Sequence, residues 1–300
     1  MAVIQRIKKP TTRKGKKFLL NRESKVIENT KQSLFLRGRK GNEILTSCLR
    51  DLYHLKKPDA LMLGGKHDIL PFENTTQVEA FSKKYDSSLF FFGTHTKKRP
   101  NNLVLGRFYD NQILDMVELG IDHYQGLNKF DAEKITTGLK PCLIFTGPNF
   151  EQNPELNRIQ NLLIDLFQRE NANSVRLQGL EHIIMFTAAN DKIFMRSYRI
   201  LLKKSGFRTP RIELTEIGPS IDFNIRRVKL ASEDFFKSAC IKPKELKIKK
   251  KKNISRDSFG TKLGRVHVKQ QDIHKLQTRK MKGLKKTSKE KRMIAKRKSN

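Results

Sequence analysis

An α/β (α+β) body with a basic arm at each end is the fold class this sequence predicts, and three observations carry it. Charge is partitioned along the chain: residues 242–300 hold 23 Lys and Arg against four acidic residues, a net +19, and the first 25 residues add +8. The 216 residues between them contribute only +6 of the total +33. Within that balanced middle, apolar runs of strand length alternate with stretches of helical periodicity, the pattern of helices covering a sheet. Each half of the middle also contains a helix followed by a strand hairpin, which suggests duplicated half-domains. The expected organisation is a basic N-terminal arm over 1–25 and a folded domain over 26–235. That domain has two halves, about 26–136 and 137–235, and a basic C-terminal arm over 236–300 follows it. The arms hold too few apolar residues to offset the backbone entropy of ordering, about 1–2 kcal/mol per residue.

Taken in order, residues 5–20, with Pro10 and Gly15, are expected to be extended when unbound. A helix is expected over Arg22–Ser33, where Val26, Ile27 and Leu34 fall on one side. A second runs from Asn42 to Leu55, with Ile44, Leu45, Cys48, Leu49 and Leu52 at 3–4 spacing, and Pro58 stops it. A connection containing Gly and Asp then leads to Pro71. Ser88–Gly93 is almost wholly apolar, as in a strand buried on both faces. Thr96–Asn102 is a basic exposed turn, and Leu103–Tyr109 is the partner strand. Asp110–Tyr124 has the spacing of an amphipathic helix, with Ile113, Leu114, Val117, Ile121 and Tyr124 on one face. Pro141–Thr146 is another buried strand. Asn153-Pro154 reads as an N-cap with proline at the first helical position, opening a helix with Leu156, Ile159, Leu162, Leu163, Leu166 and Phe167 on one side. Strands follow at His182–Ala188, Lys192–Leu202, Arg211–Ile217 and Ile221–Val228. A tight turn is expected at Asn190-Asp191 and a break at Gly218-Pro219.

Composition narrows the chemistry. No run reaches the roughly 18 apolar residues that span a bilayer, and MAVIQRIKKP lacks a secretory apolar segment. No membrane association is expected. Cys48, Cys142 and Cys240 are odd in number and widely spaced, which suggests neither a disulfide framework nor a zinc site. A reducing compartment, cytosolic or nuclear, is the expectation, and Lys249–Lys252 and Arg292–Lys298 are runs suited to nuclear import. The seven histidines form no HExxH pattern. Gly64-Gly65-Lys66 lacks the first glycine of a phosphate loop and has His67 where Ser or Thr would bind magnesium, so a plain turn is expected there. Asp110 with Asp115, or Asp131 with Glu133, are ordinary surface spacings. His182 is expected in the core or at a strand edge. No catalytic set, cofactor or metal site is assembled, and no enzymatic activity is expected.

A polyanion is the partner this composition suits, since phosphate contacts release condensed counterions, and RNA is the expected one. Candidate contacts are Lys8, Lys9, Arg13, Lys14, Lys16 and Lys17 in the first arm and the turn Lys97-Lys98-Arg99 on the body. The second arm is not uniform. Ser258–Lys269 interleaves Phe259, Leu263, Val266 and Val268 with Lys262, Arg265 and His267, while Gly260 and Gly264 permit close backbone approach. Asp272–Lys286 sets Ile273 and Leu276 near one face among Lys275, Arg279, Lys280, Lys282 and Lys285, and is expected to form a basic helix on binding. Such patterning suits segments that fold against specific partners. Phe259, Leu263, Val266, Ile273 and Leu276 are the candidate partner contacts, and Arg265 and Arg279 can hold phosphate bidentately.

Several segments carry a resemblance: EIGPSIDFNIRR at Glu216–Arg227, ESKVIEN from Glu23, LKKPDA at Leu55–Ala60, DILPFE at Asp68–Glu73, GLKP at Gly138–Pro141 and PRIELTEIGP at Pro210–Pro219. The arm adds KLGRVH at Lys262–His267 and KLQTRKMKGLK at Lys275–Lys285. Together they resemble the Brix-domain family of ribosome-assembly proteins, over about Lys8 to Lys286. It implies a Brix-type fold of two similar half-domains, with mixed sheets covered by helices. It also implies a non-enzymatic factor, located in the nucleolus, that binds large-subunit rRNA. The implied partners are the regulator of ribosome synthesis protein, as a heterodimer, together with 5S rRNA and its bound ribosomal proteins. Arg226 and Arg227 of the signature join the RNA-binding candidates; Ser220 stands where the signature has arginine, so a phosphate contact there is not carried over. Two alternatives stay open: a structural protein of the mature large subunit, and an rRNA-processing enzyme.

Overall fold

The structure is a computed structural model that describes residues 10–23, 25–170, 175–207, 209–247, 251–270, 283 and 285–299. The chain divides into two compact units, Met1–Ile248 and Lys249–Asn300. In the first unit the helices are α1 (Arg13–Arg22), α2 (Glu43–Lys56), α3 (Thr76–Tyr85), α4 (Asn149–Gln152), α5 (Pro154–Phe167) and α6 (Glu233–Ala239). Its first five strands are β1 (Ser33–Gly38), β2 (Ala60–His67), β3 (Leu89–Thr94), β4 (Asn102–Tyr109) and β5 (Gln112–Gln125). The other five are β6 (Cys142–Thr146), β7 (His182–Ala189), β8 (Lys192–Lys203), β9 (Arg211–Glu216) and β10 (Ser220–Lys229). The second unit contains β11 (Ile254–Arg256), β12 (Lys262–Gly264) and α7 (Ser288–Lys298).

One ten-stranded mixed sheet organises the first unit, in the order β2-β1-β3-β4-β5-β10-β8-β7-β6, with β9 paired to β8. Parallel pairs β1–β2, β1–β3 and β6–β7 lie toward the two ends, and the remaining neighbours are antiparallel. Each half passes from one parallel strand over a helix to another, then through a hairpin to a further strand. Those further strands, β5 and β10, pair with each other at the centre of the sheet. One core lies between the sheet and α2 and α5, from Phe35 and Leu49 through Val117 to Leu163 and Phe186. A smaller core on the opposite face sets Leu34, Leu36, Phe90, Phe92 and Val104 under Val78 of α3. Burying most core side chains contributes about 1.5–3 kcal/mol each.

Several local rules act as the residues dictate. Asn42 caps α2, accepting from the Glu43 N–H at 2.7 Å, and Asn153 caps α5 through the Glu155 N–H at 2.9 Å. Asn190 and Asp191 both have positive φ and form the two-residue turn between β7 and β8. Such a turn matches the right-handed twist of the flanking strands.

Four expectations are corrected. Asp110–Tyr124 is not a helix but strand β5, entered through Asp110-Asn111, both at positive φ as in the Asn190-Asp191 turn. Its apolar spacing fits a helix, yet eight successive residues from Leu114 to Ile121 are buried because both sheet faces are covered there. Beyond the last residue of α1, Arg22, no helix occupies the described residues up to 33. Val26 and Ile27 are exposed, and the apolar Leu34–Leu36 belongs to β1, a strand buried on both faces. The segment expected to be extended instead carries α1, whose first turn is closed by Thr12 accepting from the Gly15 N–H at 3.1 Å. The connection through Pro71 contains β2, so Gly64-Gly65-Lys66 lies on an edge strand and not in a turn. Sequence reading also missed α3, whose Thr75 makes no capping bond to signal its start.

Candidate nucleic-acid interface

Helix α1 gathers Arg13, Lys14, Lys16 and Lys17, all exposed, onto ten residues with no acidic residue in the first turn. Cations at a helix N-terminus oppose the helix dipole by typically 0.3–1 kcal/mol each, a cost that a bound anion relieves. Leu19 and Leu20 are also exposed, at 45% and 58%. The helix therefore presents cations and apolar surface together. Lys8 and Lys9 lie outside the described residues.

On the body, Lys97 and Lys98 project from the turn between β3 and β4 and are exposed. Their neighbour Arg99 hydrogen-bonds Glu118 on β5 at 3.1 Å while 41% of its side chain stays exposed. The signature arginines behave like Arg99. Arg226 donates to Asn102 Oδ1 at 3.0 Å and to the Pro100 carbonyl at 2.9 Å, over Gly120, where any Cβ would collide with the guanidinium at 2.6 Å. Arg227 donates its Nε–H to Glu118, and its guanidinium carbon lies 4.3 Å from the Phe72 ring centroid. Burial alone raises the Glu118 carboxyl. Hydrogen bonds from Arg227 and Asn102, with the charges of Arg227 and Arg99, outweigh it and hold the group below its ordinary range. These three arginines thus brace the centre of the sheet, whereas Lys97 and Lys98 are exposed.

In the second unit, β11 and β12 form an antiparallel hairpin with Ile254 opposite Gly264 and Arg256 opposite Lys262. Gly260, at φ +81°, closes its turn, donating to the Asp257 carbonyl at 2.8 Å. Phe259 stands 89% exposed at the tip, and Leu263 and Val266 are also exposed. Arg265 donates its backbone N–H to the Asn253 carbonyl at 2.8 Å, and the His267 ring meets Asn253 Oδ1 at 2.9 Å. The structure thus brings Phe259, Lys262, Leu263, Arg265, Val266 and His267 onto one small hairpin. Lys285 is exposed just before α7, which opens with a reciprocal capping box between Thr287 and Glu290. Ile273, Lys275, Leu276, Arg279, Lys280 and Lys282, and with them the expected binding-induced helix, lie outside the described residues.

Sequence reading missed the largest buried ion network. Asp115 on β5, fully buried, accepts from Arg107 Nε at 2.9 Å, from Arg158 at 3.4 Å and from the Ala231 N–H at 3.0 Å. Arg107 also reaches Asn161 at 2.7 Å and Asp165 at 2.6 Å on α5, and Phe236 of α6 lies 3.2 Å from the Arg158 guanidinium carbon. The available signal was a pair of acidic residues, Asp115 and Glu118, inside an apolar run. Read as a helix, that run sent both to solvent. Among the described residues, no group of three or more His, Cys, Asp and Glu is placed to hold a metal, and no helix is long and apolar enough to cross a membrane.

Comparison with known proteins sets this geometry in a family. The Brix domain model matches residues 38–227. A Drosophila melanogaster protein named "Ribosome production factor 2 homolog" is 54% identical over 288 residues, 96% of this chain and 90% of its own length. The Mus musculus protein of the same name is 51% identical over 265 residues, 88% of this chain and 87% of its own. A crystal structure of a probable ribosomal biogenesis protein from Aeropyrum pernix K1 superposes with a TM-score of 0.44 at 8% identity, over 67% of this chain and 99% of that one. With a domain match over more than half its length and such identity over nearly all of it, the chain belongs to the Brix-domain family and, within it, to the ribosome production factor 2 proteins.

Proposed function

We propose that this protein is a non-enzymatic ribosome biogenesis factor of the large subunit, acting in the nucleolus as a scaffold that binds rRNA and protein at once. The relatives' name, ribosome production factor, supports the process. The observation that carries the mechanism is the separation of charge by use. Arg99, Arg107, Arg226 and Arg227 of the body bond to groups of the fold, whereas the cations of α1 and of the hairpin, like Lys97 and Lys98, stand in solvent. Solvated cations can release phosphate counterions, and internally paired ones cannot. The arms therefore hold rRNA while the body docks on protein, and joining the two raises the effective concentration of the assembled pieces.

The protein partner is the regulator of ribosome synthesis protein, and with it 5S rRNA and its bound ribosomal proteins are brought to the precursor particle. What supports a protein on the body is an asymmetry between the halves. In the first, α3 covers the outer sheet face. In the second, the equivalent face presents Ile144, Met185 and Phe194 partly exposed, and β6 ends the sheet with a free edge. A partner supplying a strand and an apolar helix face would complete it. The test is purification of the tagged full chain and of a chain lacking Lys249–Asn300. Both should retain the protein partner, and the truncated chain, which keeps α1, should lose most of the 5S and large-subunit rRNA that the full chain retains. Equal RNA recovery from the two would refute the arm assignment.

A further inference from the structure

We propose that the cavity between the two halves of the body receives a single unstacked nucleotide of RNA, base inward and phosphate at the mouth, an inference that rests on the rRNA-binding reading. The cavity measures about 300 Å³, at the small end of the range for ligand sites, which suits a base with its sugar and excludes a folded segment. Its walls are the C-terminal half of α2, the segment 127–139 that crosses from β5 toward β6, and the β9–β10 junction. Leu55, Leu139 and Ile217 supply apolar surface.

Polar groups divide between mouth and floor. At the mouth, Arg50, His54 and Lys134 are exposed, and none of the three forms an ion pair among the described residues. The one acidic side chain of the lining, Asp51, is already engaged, accepting from the Tyr124 hydroxyl at 2.6 Å and the Leu127 N–H at 3.0 Å. The mouth is therefore cationic. On the floor, His182 is 4% exposed and its Nε2 meets Ser197 Oγ at 2.8 Å; its other ring nitrogen has no hydrogen-bond partner among the described residues. Burial, and then the Arg169 charge, push this imidazole down to about 4, so it is neutral near pH 7. Arg169 itself is committed to the carbonyls of Leu55 and Lys57 and to Asp59.

A neutral hydrogen-bonding floor, apolar walls and a cationic rim match a base carrying a phosphate. They fit an acidic peptide side chain less well, because its carboxylate would reach a floor with no free cation. The cavity thus adds a base-reading contact on the body to the phosphate contacts of the arms.

The test uses the full chain and a 4-thiouridine-containing oligouridylate of about ten nucleotides, within the usual single-strand site size. Ultraviolet crosslinks are mapped by mass spectrometry, and circular dichroism verifies that each variant is folded. Crosslinks are expected in 127–139 or at His182 as well as in the arms. Leu139→Trp, which fills the cavity, and the surface double variant Arg50→Ala/Lys134→Ala should each cut the cavity crosslink about fivefold or more while sparing those in the arms. Crosslinks confined to the arms overturn the cavity proposal and leave RNA binding standing. Absence of any crosslink overturns the rRNA-binding reading and the cavity with it. Protection of the cavity by an oligoglutamate peptide, with the oligouridylate never reaching it, overturns the nucleotide in favour of an acidic protein segment.

Discussion

Asp115 shows why single residues matter more here than their exposure class suggests. A fully buried carboxylate that holds Arg107, Arg158 and the Ala231 N–H cannot be removed without leaving guanidinium charge uncompensated. Breaking a buried pair in this way costs about 3–5 kcal/mol. Asp115→Ala should therefore lower the unfolding free energy measured in urea by that amount, and a loss below about 1 kcal/mol would show that Asp165 compensates the charge of Arg107. His182 gives a second residue-scale prediction. Its folded value of about 4 lies below the ordinary 6.5, so the unfolded chain takes up the proton first. Its share of stability is complete above about pH 6.5 and is lost as pH falls toward 4. Urea midpoints at pH 7 and pH 5 should differ less in His182→Gln than in the parent, and an equal fall in both would exclude this imidazole as a source.

At the scale of elements, local chemistry placed some boundaries to the residue. Asn153 followed by Pro154 satisfies an orphan N–H and presets the first helical φ, and α5 starts there. Asn153→Ala should cost about 1 kcal/mol in urea unfolding, and a change under about 0.3 kcal/mol would mean that packing of the apolar face alone positions the helix. Strand β5 is the opposite case. Periodicity pointed to a helix because Ile113, Leu114, Val117 and Ile121 share a helical face, while the polar residues between them looked solvated. Asp110-Asn111 held the correct answer, since two residues able to adopt positive φ favour a hairpin turn. The same logic placed Asn190-Asp191 correctly because the runs beside it alternate. Helix α1 was hidden by composition: its stability comes from the Thr12 cap and local bonds, which a charge-based reading does not weigh.

For the whole molecule, the division of charge is the property that reaches function. Replacing Arg265, Arg279 and Lys280 together by alanine should weaken binding to an rRNA fragment and reduce the slope of log affinity against log salt by about 2–3. A slope identical to the parent's would show that these cations do not contact phosphate. Among the described residues β6 pairs only with β7, and the face beside it is partly exposed, whereas α3 covers the equivalent face of the first half.

The sequence by itself determined the mixed α/β class, the basic ends, most strands of the second half and helices α2 and α5. Each depends on composition or on contacts within a few residues. Only the tertiary structure decided that β5 is a strand, that Arg99, Arg226 and Arg227 bond back onto the body, and that Asp115 joins β4 and β5 to α5. A charged side chain reads the same in sequence whether it meets solvent or a partner on another element of the fold. Burial decides between the two, and burial exists only once the sheet has closed over it.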